Sequence, residues 1–362
     1  MRKGWEYKKL GDVAQIVSGA TPKTNIEEYW GQGHYWVTPA ELNDSTIYVN
    51  KTERQITDAA LAKTNLQFLP KGTVLLSSRA PIGKVAICNT EMYCNQGFKN
   101  CICSEKLYNK YLFYYLKYKK EYLNSLGRGA TFKEISKSIV ENVIIPIPPK
   151  STQLAIASEL DKINELIRLK KEQLVEYNNL AQSIFYEMFG DPVENEKGWE
   201  LKKFINVVTL QRGYDLPTQQ RDPSGSIPVY GSNGVLGYHS ESKLDSGIIT
   251  GRSGTIGEVY ISKTPCWPLN TTLFSKETHG NNLIYLCYFL RFFDLKRFVQ
   301  GAGVPTLNRN NFHDKMIIAP PLEFQQTFAS RIEQIEKLKS EVQNAITDLE
   351  TLLASRMQYW FE

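Results

Sequence analysis

The side chains best suited to chemistry in this chain are arginines and amides in glycine-rich turns. Arg79 lies in Leu75-Leu76-Ser77-Ser78-Arg79-Ala80-Pro81-Ile82-Gly83 and Arg252 in Ile248-Ile249-Thr250-Gly251-Arg252-Ser253-Gly254-Thr255-Ile256-Gly257. Each is flanked by runs that read as β-strands, Lys84-Val85-Ala86-Ile87 and Glu258-Val259-Tyr260-Ile261 on the far side, so each arginine belongs at a turn tip. Around Arg79 the candidate contacts are Thr21 and Lys23 in Gly19-Ala20-Thr21-Pro22-Lys23, then Ser78, Lys84, Gln96, and Arg128 with Thr131 in a glycine-flanked turn. Around Arg252 they are Arg212, Arg221, Asn233, Thr255, Asn270 and Arg309. A guanidinium fork matches a guanine edge and a side-chain amide pairs similarly with adenine, so loops holding both can read base sequence. Solvated surface charge is the plain alternative for any one of them. The two turn arginines stand out because they recur at matching places in the two halves.

Machinery for covalent chemistry is missing. The sequence has no G-x-x-x-x-G-K-[ST] phosphate loop, and Gly251 to Gly257 lacks dinucleotide-fingerprint spacing and reads as a hairpin turn. His34, His239, His279 and His313 are scattered singly, and Glu241-Ser242-Lys243 has no acidic partner in a preceding strand. Six cysteines form no C-x-x-C pair, and Cys101 with Cys103 reads as one face of a buried strand. The chain is expected to be non-catalytic and to bind neither metal nor cofactor. Tyr29, Trp30, Tyr35 and Trp36 are read as packing residues rather than base-stacking ones.

Charge says where a polyanion would bind. The net charge of +5 is distributed as +8 over residues 1–150, −2 over 151–189, +2 over 190–321 and −3 over 322–362. The segments carrying the candidate residues are basic, and the segments between them are acidic. No stretch approaches the roughly 18 to 20 apolar residues of a membrane span, and Met1-Arg2-Lys3-Gly4-Trp5 lacks a signal-peptide core, so a cytoplasmic protein is expected.

The acidic segments must position the basic ones. From Ile156 through Leu160, Ile163, Ile167, Lys170, Leu174, Tyr177, Ala181 and Ile184 to Met188, apolar-type positions alternate by four and three, the seam of a coiled coil. Adding 172 reproduces the seam from Phe328 to Trp360. Pro148-Pro149 with Gln153 opens one helix and Pro320-Pro321 with Gln325 the other, while Gly190-Asp191-Pro192 stops the first. Some 38 residues at about 1.5 Å each make a rod of roughly 57 Å. Lys170, Lys339 and Arg356 fall on the seam, where they must either snorkel or meet acidic partners from another helix, for which a partner subunit's helices are the reading adopted.

The basic segments repeat as well. Gly4-Trp5-Glu6-Tyr7-Lys8-Lys9-Leu10 returns as Gly198-Trp199-Glu200-Leu201-Lys202-Lys203-Phe204, and Cys94-Asn95-Gln96-Gly97 is matched to Leu269-Asn270-Thr271-Thr272. A short helix recurs at Tyr111–Leu116 and Tyr285–Leu290, and a closing strand at Val143–Ile147 and Met316–Ala319. Residues 18–70 and 210–245 do not match. One scaffold carrying different inserts implies one task on two targets.

The order of these landmarks over the whole length resembles the specificity subunit of a type I restriction and modification enzyme. The resemblance rests on Trp5 to Leu10, Ile82-Gly83, Pro148-Pro149 to Gln153 and Phe189-Gly190-Asp191-Pro192, with Trp199, Ile256-Gly257 and Pro320-Pro321 to Gln325 in the second half. It implies an α+β chain with pseudo-two-fold symmetry: two similar mixed α/β target recognition domains (1–150 and 191–321) separated by two long antiparallel coiled-coil helices (151–190 and 322–362). Each domain would read half of a bipartite duplex DNA target, and helix length would set the spacer. The implied partners are two adenine methyltransferase subunits and two restriction subunits, which would use S-adenosylmethionine, ATP and magnesium. The competing reading is a coiled-coil scaffold binding RNA or protein.

Overall fold

A computed structural model describes residues 4–129, 133–300 and 305–362. Two 40-residue helices dominate it, Lys150–Phe189 (the central helix) and Leu322–Phe361 (the terminal helix). The seam is real: Ile156, Leu160, Ile163, Ile167 and Ala181 are buried on the first, and Phe328, Ile332, Ile335, Val342 and Ile346 on the second. Gly190 takes φ +74°, the left-handed conformation expected where the central helix stops, and its N–H reaches Tyr186 O at 2.9 Å.

Contacts divide the chain into two compact units, Met1–Lys170 with Ala345–Glu362, and Lys171–Asn344. Each unit therefore owns half of both helices. In unit 1 the start of the central helix meets the end of the terminal helix, where Arg356 grips Glu159 and the Trp360 indole donates to the same carboxylate at 3.0 Å. In unit 2 the end of the central helix meets the start of the terminal one, with Phe185 and Phe189 packing on Phe328 at ring separations of 5.6 and 5.4 Å. That is the order of an antiparallel pair. The acidic partner of Arg356 thus comes from within the chain, and Lys339 pairs with Glu336 one turn away on its own helix at 2.8 Å.

The same framework builds both units. In unit 1 the opening strand Glu6–Lys9 pairs antiparallel with the closing strand Ile144–Ile147, and in unit 2 Leu201–Lys203 pairs with Met316–Ile318. The main sheet of unit 1 runs in the order Ala14–Ser18, Lys99–Cys103, Val74–Leu76, Val85–Cys88, Tyr48–Val49. That of unit 2 runs Thr209–Arg212, Thr272–Glu277, Gly247–Gly251, Val259–Ser262, which is the same order without the last edge strand. A buried helix, Asn109–Tyr118 or Leu283–Phe292, packs on each. The α+β duplication read from the sequence is borne out.

Two landmarks acquire mechanical reasons. Gln153 is fully buried; its amide donates to Pro148 O and Lys106 O, both at 2.9 Å, and accepts the Tyr108 N–H at 2.8 Å, just before helix Asn109–Tyr118. Gln325 does the same in unit 2, donating to Pro320 O at 2.8 Å and Asn281 Oδ1 at 2.7 Å and accepting the Asn282 N–H at 2.9 Å. Each proline pair with its glutamine therefore bolts a long helix to the start of the buried helix of its globe. Gly83 and Gly257 both have positive φ, +89° and +98°, a conformation that favours glycine, and each packs against a lysine side chain, Lys120 and Lys296.

The unmatched inserts are more alike than their sequences suggest. Trp30–Val37 pairs parallel with Tyr93–Cys94 and antiparallel with Gln55–Ile56; Ile227–Gly231 pairs parallel with Trp267–Pro268 and antiparallel with Gly234–His239. The difference lies in the connection. Unit 2 uses a hairpin turning at Ser232-Asn233, whereas unit 1 inserts residues 38–54, including the extra sheet edge Tyr48–Val49. Trp36 and Tyr29 are buried, and the Arg54 guanidinium lies 3.6 Å over Trp30, consistent with packing roles. Among the described residues no helix is long and apolar enough to cross a membrane. Burial pushes the cysteine thiols up, Cys103 to about 12 and Cys287 to about 11, away from the thiolate that metal binding or nucleophilic attack requires.

Candidate nucleic-acid interface

Antiparallel register places most candidate residues at one end of each main sheet. In unit 1 Ser18 lies opposite Lys99 and Ser77 opposite Phe98, so the chain leaving at Gly19, entering at Gln96 and leaving again at Ser78 converges on one edge. Gly19 is indispensable there, since a Cβ would stand 1.9 Å from Asn95 O; Gly213 faces Leu269 O in the same way, at 2.2 Å. In unit 2 Arg212 lies opposite Leu273 and Gly251 opposite Thr272, which gathers Arg212, Asn270 and Arg252 on the corresponding end.

Hydrogen bonds correct the match between halves. The Ser78 N–H donates to Gly97 O at 2.7 Å and its carbonyl accepts from Ile135 at 2.9 Å; the Arg252 N–H donates to Thr271 O at 2.8 Å and its carbonyl accepts from Leu307 at 2.8 Å. Arg252 therefore corresponds to Ser78, and Arg79 to Ser253, one residue out of the register read from the sequence. The pairing of Cys94 with Leu269 shifts likewise: Asn95 and Leu269 donate equivalently to Val37 O and Tyr230 O, making Gln96 the counterpart of Asn270. The recurrence that singled out the two turn arginines is a near coincidence, and each must be judged by its own surroundings.

Those surroundings differ. Arg79 is exposed, but its Nε donates to Glu134 Oε2 at 3.0 Å, and the same carboxylate takes Lys99 Nζ at 3.2 Å. Burial pushes the Glu134 pKa up, but hydrogen bonds and charge from Lys99 and Arg79 outweigh it and hold the carboxyl below its ordinary value. Arg128 is exposed and exchanges two 3.0 Å backbone bonds with Glu134, joining the same cluster. In unit 2 the positions of Glu134 and Lys99 are Thr306 and Leu273, and Arg252 is half-buried with no side-chain partner among the described residues.

Thr21 and Gln96 are joined through hydroxyl and amide at the surface. The counterpart pair in unit 2 is Asp215 with Asn270, where the Asn270 amide donates to Asp215 Oδ1 and Arg212 approaches the same oxygen at 3.4 Å. Ser232 lies beside Gly251 and Gly254, bringing the exposed Asn233 to the Arg252 turn, where Thr255 is also exposed. Lys23 is exposed in the loop after Thr21.

Other candidates are taken up by the scaffold. Ser78 is completely buried, which removes it from any contact surface. Lys84 donates to Pro39 O at 3.0 Å and Leu42 O at 2.7 Å, closing the Pro39–Glu41 turn. Arg309 is half-buried, reaching Leu210 O at 3.4 Å, and Arg221 reaches Leu216 O at 3.4 Å. Thr131 lies outside the described residues. Sequence reading missed Glu134, Lys99 and Asp215. Asp215 follows Gly213 by two as Thr21 follows Gly19, a signal available once those glycines are matched.

The family model for the type I restriction modification DNA specificity domain matches residues 2–178 and 196–350. The MjaIX type I restriction enzyme specificity subunit of Methanocaldococcus jannaschii is 31% identical, over 92% of this chain and 87% of its own. The fold is shared with the type I restriction-modification S subunit of M. genitalium (TM-score 0.60, 16% identity, 99% of this chain and 96% of that one). It is shared also with a chain from a structure on complex assembly and conformational transition of the type I system (TM-score 0.68, 16% identity, 100% and 98%).

Proposed function

The chain belongs to the type I restriction-modification DNA specificity family, and on that premise we propose that each unit reads one half of a bipartite duplex sequence while the long helices fix the spacer. The observation that carries this reading is the pair of equivalent sheet ends. Both are held in place by the same glycines and backbone bonds, and they bear different polar side chains in each unit. Identical frameworks dock identically, and unlike side chains then select unlike bases.

In this reading Arg79, Arg128, Lys23, Thr21 and Gln96 contact one half-site, and Arg212, Arg252, Asn233, Thr255 and Asn270 the other. Exposed lysines and arginines neutralise phosphates, and side chains at the sheet ends reach base edges. The chain is non-catalytic and works in the cytoplasm. Two adenine methyltransferase subunits supply S-adenosylmethionine chemistry, and two restriction subunits supply that of ATP and magnesium. The test maps methylated adenines in the host genome with and without the chain. A bipartite motif that disappears with the chain supports the reading; a motif that persists refutes it. Filter binding of duplex DNA, RNA and protein ligands in the presence of methyltransferase separates it from the scaffold alternative.

A further inference from the structure

The pairing at Asp215 has a fixed polarity. A carboxylate only accepts, so the amide of Asn270 must turn its amino group toward Asp215, and its carbonyl oxygen is left facing away. Both recorded partners of Asp215, Asn270 and Arg212, share Oδ1; Oδ2 has none among the described residues, and the side chain is 67% exposed. Two acceptors, Asp215 Oδ2 and Asn270 Oδ1, thus stand together at the sheet end of unit 2.

We propose that Asp215 and Asn270 form an acceptor pair that selects a base presenting an exocyclic amino group in the major groove, adenine or cytosine, at one position of the half-site read by unit 2. This rests on the reading of the sheet ends as the duplex-contacting surface. On such a surface a carboxylate is repelled by phosphates, and the partners that satisfy it are donors on base edges: cytosine N4 and adenine N6 in the major groove. Arg212, 3.4 Å from its Oδ1, offsets its charge against the backbone. Unit 1 presents at the same framework position the neutral Thr21–Gln96 pair, whose hydroxyl can donate or accept, so the requirement belongs to unit 2 alone.

The experiment is methylation mapping with the full chain and its methyltransferase, comparing wild type with Asp215→Asn. The substitution keeps the shape and converts Oδ2 or its partner into a donor. One position in one half-site should relax from adenine or cytosine toward guanine or thymine, with discrimination falling roughly tenfold, and the other half-site should be unchanged. An unaltered motif overturns the acceptor pair while leaving the reading of the sheet ends intact; relaxation at a guanine position instead assigns Asp215 to orienting Arg212 and overturns it too. A wild-type map with no bipartite motif would overturn the reading of the sheet ends and the acceptor pair with it. Should Asp215→Asn abolish methylation, the purified complex is used to select duplexes from a randomised library. A preference changed at one position supports the proposal, and one unchanged or lost across both half-sites overturns it.

Discussion

Units 1 and 2 place their backbones alike and their charges differently. Where unit 1 has Glu134 clamped between Arg79 and the buried Lys99, unit 2 has Thr306, Ser253 and Leu273. Where unit 1 has the neutral Thr21, unit 2 has Asp215. What is common is main chain: glycines packed against carbonyls, bridging N–H bonds, a glutamine bolt. What differs is the set of side chains that the common frame presents. A framework so specified by backbone contacts can exchange its surface chemistry without refolding, which is what a reader of varied targets needs.

The strongest challenge to that equivalence is the glutamine bolt. Gln153→Ala and Gln325→Ala each strand a buried N–H and carbonyls, and each should destabilise its own unit by about 3 kcal/mol. Hydrogen exchange of helix Asn109–Tyr118 should rise in the first variant and that of Leu283–Phe292 in the second, to similar extents. A large effect in one unit only would show that the two frames are held differently.

Next in size is a change that should affect one unit alone. Glu134→Gln weakens the pairs to Lys99 and Arg79; because the carboxylate is partly exposed, solvent screening leaves a cost of about 1 kcal/mol. The Glu134 pKa is depressed in the folded state, so its contribution is complete above the ordinary glutamate value of 4.5 and is lost as pH falls through the lowered one. Acid should therefore loosen unit 1 by this route, and the variant should lack that component. Equal acid sensitivity in wild type and variant would remove the ion cluster from the account.

The smallest effect on folding is expected at the turn arginines. Arg252→Ala should change stability by no more than about 0.5 kcal/mol, since the half-buried side chain has no partner among the described residues, yet weaken duplex binding. Arg79→Ala leaves Glu134 with Lys99 alone and should alter both. Duplex affinity unchanged by Arg252→Ala would take that residue off the interface.

How much was legible in the sequence follows the physics. The long helices were readable because the seam period is written in side chains from Ile156 to Met188, and the proline pairs mark their starts. The framework strands were readable where apolar runs flank glycine turns. The one-residue shift between Arg79 and Arg252 was not, because register is set by main-chain bonds such as Ser78 to Gly97 and Arg252 to Thr271, to which side-chain identity is blind. Nor was the kinship of the inserts. It lies in a parallel strand pair, Trp36 beside Tyr93 and Val229 beside Trp267, formed across long sequence separations by unlike residues. Lys84 looked like a contact because a lysine's carbonyl partners, Pro39 and Leu42, lie over 40 residues away.

Two readers on one measured frame have a direct test. Removing seven residues from the central helix between Leu160 and Tyr177, with the matching seven from the terminal helix between Ile335 and Leu349, keeps the seam in register and shortens the rod by about 10 Å. Methylation mapping should then return both half-sites unchanged with a spacer reduced by about three base pairs, at roughly 34 Å per turn of duplex. Altered half-sites, or an unchanged spacer, would contradict the account.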